Sequence, residues 1–300
     1  MQHLRFALFG NVYQAKKSAI IQHLLHLLEE RGADVWIDRP FHSYLTREMG
    51  LRIQPAGLID GNDFEADFVI SLGGDGTFLQ AASRVADKGF PILGINTGRL
   101  GFLADVSPDE MEAAVEHICN GGYRMEARSL LQVTFSDGEH PIYPYALNEV
   151  AVLKRDHSSM ISIRADINGE YLTTYQADGL IINTPTGSTG YALSVGGPIM
   201  SPRASTLGIV PVAPHSLNVR PMTLFDDAEV RLTVESRSHN YLISIDGRNE
   251  TCCEEVGLTL RKAPFCVNVL KRPDHSFFRT LRSKLMWGTD ARLDKGWTPS

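Results

Sequence analysis

Asp67-Phe-Val-Ile-Ser-Leu-Gly-Gly-Asp-Gly-Thr77 is the stretch that decides the fold of the first half of the chain. Asp67 to Leu72 is an almost unbroken apolar run, the pattern of a strand covered on both faces. Gly73, Gly74 and Gly76 break it, and a helical pattern follows near Thr77 to Asp87. A buried strand, a glycine turn and a helix in that order make an α/β unit. The turn then lies at the carboxyl end of the strand, where open α/β sheets bind ligands.

The same alternation runs outward in both directions. Leu4 to Phe9, Val35 to Ile37 and Pro91 to Ile95 read as further strands. Lys16 to Arg31 reads as a helix with Ile20, Ile21, Leu24, Leu25, Leu27 and Leu28 on its apolar side, stopped by Gly32. Ser107-Pro-Asp-Glu110 has the form of a capping box with proline in the first turn, and predicts a helix to about Cys119. Residues 1–125 are therefore expected to form an α/β domain. Beyond Gly122 the helical period gives way to period two. Ile161, Ile163, Ala165 and Ile167 share one face, as do Val230, Leu232 and Val234, and Tyr241, Ile243 and Ile245. Asn168-Gly169 and Asp246-Gly247 are hairpin turns. Residues 126–270 are expected to form an all-β, sandwich-like domain. His275 to Met286 returns to a helical pattern with Phe278, Leu281 and Leu285 on one side. The segment 271–300 is expected to pack back on the N-terminal domain, with its last dozen residues loose.

Composition narrows the function. The 300 residues are 43% hydrophobic and 21% charged, enough apolar material for a sizeable core. The net charge is −6, which argues against a nucleic-acid coat, since phosphate neutralisation needs a basic surface. No apolar run reaches the ~18 residues of a membrane span. The apolar stretch Phe6 to Phe9 is too short for a signal-peptide core, so a cytoplasmic protein is expected. Cys119, Cys252, Cys253 and Cys266 show no C-x-x-C spacing and read as free thiols. A Gly-Lys dipeptide, G-x-G-x-x-G, H-E-x-x-H and G-x-S-x-G are all absent. A Walker loop, a standard dinucleotide fingerprint, a zinc protease and a nucleophile elbow go with them.

Three motifs can carry chemistry. Gly73, Gly74 and Gly76 let a backbone approach phosphate oxygens, which the N–H groups of the following helix start, from Thr77, can hold. Asp75 is out of place beside phosphates unless it accepts a proton or meets a metal, and both fit phosphoryl transfer to a hydroxyl. The plain alternative is a tight turn capped by Asp75. Asn148-Glu149 interrupts the apolar strand ALNEVAVL. An amide beside a carboxylate suits the vicinal hydroxyls of a ribose. Adjacent strand side chains point to opposite faces, so both reach one ligand only at a strand end, edge or bulge; otherwise they form an internal hydrogen-bonded pair. Pro185-Thr-Gly-Ser-Thr189-Gly-Tyr-Ala-Leu-Ser194 exposes backbone donors and a flat Tyr191 ring, or is simply a solvated loop. Asp178 is a candidate ligand carboxylate or a turn residue. His215 reads as structural.

Taken in order, Gly73-Gly-Asp-Gly-Thr77, Gly94-Ile-Asn-Thr-Gly-Arg-Leu-Gly-Phe-Leu103, Asn148-Glu149, Asp178-Gly179 and Thr184-Pro-Thr-Gly-Ser-Thr189 resemble the NAD kinase family, bacterial branch, over nearly the whole chain. The resemblance implies that ATP phosphorylates the adenosine-ribose 2′-hydroxyl of NAD, with a divalent metal, Mg2+ by expectation, and gives NADP. It implies Asp75 as proton acceptor and Gly73, Gly74, Gly76 and Thr77 as the phosphate seat. Asp75, Gly76, Asn148, Glu149, Asp178, Thr189, Gly190, Tyr191, Ala192, Leu193, Ser194, Ala213 and the Asp246-Gly-Arg248 turn would line the NAD pocket. Some of them would act across a subunit boundary in a homodimer or homotetramer. The chain departs from the family at Gly190, usually alanine, and at Gln176, often basic. A lipid or small-alcohol kinase sharing the glycine turn would need an apolar acceptor patch, and no basic amphipathic stretch supplies one. A non-catalytic dinucleotide sensor would gain nothing from Asp75.

Overall fold

In the computed structural model, which describes residues 3–11, 18–98, 101–155 and 160–288, the first compact unit comprises Met1–Arg84, Phe90–Glu126 and Val269–Ser300. Its elements are β1 (Arg5–Gly10), α1 (Ser18–Glu30), β2 (Asp34–Asp38), α2 (Arg39–Ser43), β3 (Gly57–Ile59), β4 (Phe68–Gly73), α3 (Asp75–Val85), β5 (Ile92–Asn96) and α4 (Met111–Cys119). The strands pair in parallel in the order β3-β2-β1-β4-β5. All six residues of β4 are buried, as its apolar run requires. The order reverses between β1 and β4, so the carboxyl ends of these two strands flank the topological switch point of the sheet. Gly10 and Gly73 stand there.

Local chemistry explains most of the helix bounds. The Ser107–Glu110 capping box forms, though its first turn, Pro108–Glu110, is a 3-10 turn that runs into α4. The helix expected near Thr77 begins two residues earlier, at Asp75, and stops at Val85. α2 and the π-helical turn after it, Tyr44–Glu48, were not expected. Their signal is Asp38 followed by Pro40 in the first turn, a helix start with no long apolar period behind it.

The second unit comprises Val85–Gly89 and Ala127–Asn268. Its elements are β6 (Arg124–Phe135), whose first three residues belong to the first unit, β7 (Tyr145–Ala146), β8 (Glu149–Lys154), β9 (Ile161–Ile167), β10 (Glu170–Ala177), β11 (Gly179–Asn183), α5 (Tyr191–Ser194), β12 (Thr206–Val212), β13 (Met222–Phe225), β14 (Val230–Glu235), β15 (Asn240–Ile245), β16 (Arg248–Cys253) and β17 (Leu258–Lys271), whose last three residues belong to the first unit. Antiparallel pairing gives β10-β9-β14-β17 on one side and β13-β12-β11-β8-β15-β16 on the other. Ile163, Ala165 and Leu232 from the first set meet Val150, Ile182, Ile209 and Ile243 from the second in one core. The alternation of β14, buried at Val230, Leu232 and Val234 and exposed between them, is the period-two signature of that sandwich. The outer face of β8, β11 and β12 is also covered, by Ala192 of α5 over Ala151, Ile181 and Val210. Hence β8 and β11 read as continuous apolar runs. Both predicted hairpin turns form with two positive φ angles each, 52° and 83° at Asn168-Gly169 and 47° and 78° at Asp246-Gly247.

The chain then returns to the first unit. Val269 pairs in parallel with Ile92, and Lys271 Nζ lies 2.7 Å from Asp105 Oδ2 in a buried ion pair. α6 (Phe277–Leu285) follows. Its inward stripe differs from expectation. Leu281 is buried, Leu285 is half-buried, and Phe278 is 63% exposed. Phe277 and Lys284, four residues before and three after Leu281, share its side of the helix. The last dozen residues, 289–300, lie outside the described residues. The four cysteines are free. Among the described residues no helix is long and apolar enough to cross a membrane.

Candidate active site

Gly73 ends β4, and a Cβ there would run into the side chain of Thr77. Thr77 is buried against it and gives its N–H to Gly74 O at 3.0 Å. The opposite side of the turn is open, since a Cβ built on Gly74 or Gly76 meets nothing within 4 Å. Asp75 is the first residue of α3, and its carboxylate does not cap that helix. It reaches the loop after β5, where Oδ2 accepts the N–H of Phe102 at 2.7 Å and Oδ1 accepts those of Leu103 and Ala104, both at 3.0 Å. Gly101 has to be glycine, because a Cβ there would overlap the carboxylate. Buried Asn96 holds the loop in turn, giving Nδ2 to Ala104 O at 3.2 Å and accepting Gly98 N at 2.6 Å. A carboxylate offers about four acceptor positions. Three are taken here, and the fourth is on Oδ2. Arg99 and Leu100 of the same motif lie outside the described residues.

The second unit repeats the device. Asp246, in its left-handed turn, accepts the N–H groups of Leu147, Asn148 and Glu149 at 2.7, 2.8 and 3.1 Å. It thereby fixes the start of β8. Asn148 lies just before that strand and Glu149 is its first residue, so the two side chains escape the opposite-face rule of a strand interior. Both converge on Gly190. A Cβ there would stand 2.9 Å from Glu149 Oε2 and 3.4 Å from Asn148 Nδ2. An alanine at this position would therefore push the Glu149 carboxylate aside. Asn148 Oδ1 and Glu149 Oε2 are buried acceptors with no hydrogen bond among the described residues, a condition proteins rarely tolerate without a ligand or water. Burial, reinforced by the Asp246 charge and opposed by the Tyr191 N–H, pushes the Glu149 carboxyl up to about 7.

The segment expected as a loop is a 3-10 turn, Thr186–Thr189, followed by α5. It is not solvated throughout: Thr186, Gly187, Ser188 and Ala192 are buried. Thr189 and Leu193 are half-buried, and Tyr191 and Ser194 are exposed. Arg248 lays its guanidinium 5.3 Å over the Tyr143 ring and donates to Tyr145 O at 2.7 Å.

Asp178 and Ala213 are not brought to this group. Asp178 pairs with Lys154 Nζ at 2.7 Å, and Lys154 ends β8 where Glu149 begins it. Five residues of strand separate them, about 17 Å. Ala213 follows β12, and the Asp178 N–H donates to its neighbour Val212 at 3.0 Å. Together with Gln176 and His215, Asp178 lines a separate cavity of about 950 Å³. His215, expected to be structural, is exposed there. Among the described residues no group of three or more His, Cys, Asp or Glu could hold a metal ion.

Comparison with known proteins covers both units. A family model described as the ATP-NAD kinase N-terminal domain matches residues 6–123, and one described as the ATP-NAD kinase C-terminal domain matches residues 147–269. The NAD kinase of Bacteroides fragilis is 59% identical over 290 residues, 97% of this chain and all of that protein. The NAD kinase of Porphyromonas gingivalis is 43% identical over 96% of this chain and 99% of its own length. Among solved structures, an NAD kinase from Archaeoglobus fulgidus in complex with ATP aligns with TM-score 0.75 at 26% identity, over 94% of this chain and 99% of that one. Yeast NADH kinase complexed with NADH aligns with TM-score 0.87 over 98% of this chain and 90% of that one, and at 21% identity speaks for the fold alone.

Proposed function

The chain belongs to the NAD kinase family, and from that premise we propose how its residues divide the reaction. It is an NAD kinase enzyme, which transfers a phosphoryl group from ATP to the 2′-hydroxyl of the adenosine ribose of NAD and yields NADP. The observation that carries the assignment of roles is the Asp75 carboxylate, held by three N–H groups with one acceptor position left on Oδ2. That position takes the proton of the attacking hydroxyl. Positioned general bases of this kind contribute ~10²–10⁴-fold. The open side of Gly73-Gly74-Asp75-Gly76 seats the phosphates on backbone N–H groups, with Thr77 packing the turn from behind.

Asn148 and Glu149 take the ribose. Two buried acceptors without partners match a diol, which brings two O–H donors. Tyr191 offers its exposed ring to a base, and Thr189 to Ser194 with Arg248 wall the same pocket. A divalent cation, Mg2+ by the chemistry of the donors, would neutralise charge on the phosphates being transferred. Mg2+ keeps water and phosphate oxygens as its main ligands. The absence of a carboxylate cluster among the described residues suits an ion carried on the triphosphate, which Gly73 to Gly76 would hold through it.

Asp178 and Ala213 act in trans. Their distance from Glu149 along β8 supports a pocket completed by a second copy of the chain, and hence a homodimer or a larger homo-oligomer. Four free cysteines and no membrane-crossing helix among the described residues suit a reducing cytoplasm. Separate titrations of the substrates test the division of roles. Glu149→Ala raises the KM for NAD by about tenfold to a hundredfold, the worth of a lost charge-assisted hydrogen bond, Asn148→Ala by about twofold to tenfold, the worth of a neutral one, and both leave the KM for ATP within about twofold. Equal losses on both substrates would refute it.

A further inference from the structure

α6 carries one ionisable side chain on its inward stripe, Lys284. Its Nζ is buried and makes no hydrogen bond among the described residues. It stands 4.7 Å from the centre of the Phe102 ring, and Phe102 is the residue whose N–H holds Asp75 Oδ2. An ammonium group has three donors and needs acceptors. A ring face attracts an ammonium only weakly, well below the cost of burying a charge without a partner. Burial accordingly pushes the Lys284 ammonium down to about 8, with the nearby Lys271 charge adding to the fall and the Asp75 and Asp105 charges opposing it.

Among the described residues no acceptor reaches it. Lys271, the other buried lysine of this region, is matched by Asp105. Asp75 spends three of its four acceptor positions on the 102–104 loop. A cation kept out of water, without a hydrogen-bond partner among the described residues and within the field of Asp75 at the glycine turn, is poised for an anion that is not part of the chain. We propose that Lys284 is a further substrate-binding residue, whose ammonium donates to the terminal phosphate oxygens of ATP and offsets the negative charge that Asp75 sets beside them. The inference rests on the kinase reading above and adds the C-terminal helix to the phosphate seat.

The test uses the full chain and three variants, Lys284→Met, Lys284→Gln and Lys284→Arg. ATP is titrated at saturating NAD, NAD at saturating ATP, and melting temperature is measured with and without ATP. Lys284→Met raises the KM for ATP about tenfold to a hundredfold and moves that for NAD less than about twofold. Its melting temperature without ligand equals or exceeds that of the wild type, because an unpaired buried charge has gone, and the rise on adding ATP shrinks. Lys284→Gln follows Met, and carries the test if Met does not fold. Lys284→Arg keeps the charge and most of the ATP affinity. An unchanged KM for ATP in both neutral variants overturns the proposal. So does a lower melting temperature with equal losses on both substrates, the mark of a lysine that only packs on Phe102. Failure of the wild-type chain to make NADP would instead overturn the kinase reading, and this inference with it.

Discussion

Replacing Asp75 by asparagine removes one charge and changes few atoms, yet the loop at 102–104 makes it a severe change. The carboxylate accepts two N–H groups on Oδ1 and one on Oδ2. An amide has one oxygen. Set at the Oδ1 position it keeps Leu103 and Ala104, but its NH2 then faces the Phe102 N–H, donor against donor. The lost charge-assisted bond costs about 1.5–3 kcal/mol, and the two that remain weaken from charged to neutral. A total of about 2–4 kcal/mol follows, which for a chain of this size lowers the melting temperature by about 3–6 °C. Turnover falls further, by ~10²–10⁴-fold, because the proton acceptor is gone. Calorimetry and steady-state rates on one preparation read both effects, and manganese in place of magnesium restores neither. A residue that merely capped its helix would lose nothing, since asparagine caps as well as aspartate. Near-wild-type turnover would remove Asp75 as the proton acceptor, and an unchanged melting temperature would remove it as the anchor of the 102–104 loop.

If Asp178 serves the pocket of a second copy, mixing the weakened variants Asn148→Ala and Asp178→Ala recovers activity at low NAD through mixed assemblies with one intact pocket; no recovery after refolding together would place both residues in one subunit's site. Glu149 gives a pH signature. Its carboxyl is raised from the ordinary 4.5 to about 7 by burial, so the fold favours the protonated form. The stability this brings is present below about pH 4.5 and is lost as pH rises through about 7. Glu149→Gln therefore melts above the wild type at about pH 8 and gains nothing at about pH 4.5, a comparison made by thermal unfolding across that range.

What the sequence reveals and what it hides follow from the range of the interactions. The glycine turn after β4, the Ser107–Glu110 box and the Asn168-Gly169 and Asp246-Gly247 turns are written within four residues, and each is legible. The partners that position the site are not local. Asp75 binds an N–H donor 27 residues away, and Asp246 binds one 99 residues away. Read alone, Asp75 looks like a cap and Asp246 like a turn residue. Lys284 hides for another reason: the helical period of Phe278, Leu281 and Leu285 points to a stripe rotated from the one that is buried, and the lysine sits on the true one. Asp178 belongs with Asn148 by motif, and only the register of β8 against β11 shows the length of strand between them.

As an NAD kinase, this chain moves the terminal phosphoryl group of ATP to one hydroxyl of NAD. Phosphorus NMR of a reaction holding the protein, ATP, magnesium and NAD measures it directly. The expected result is a new monoester resonance coupled to the 2′ position of the adenosine ribose, growing in equal proportion to ADP. ATP loss without that resonance, or a phosphate on any other hydroxyl, would contradict it.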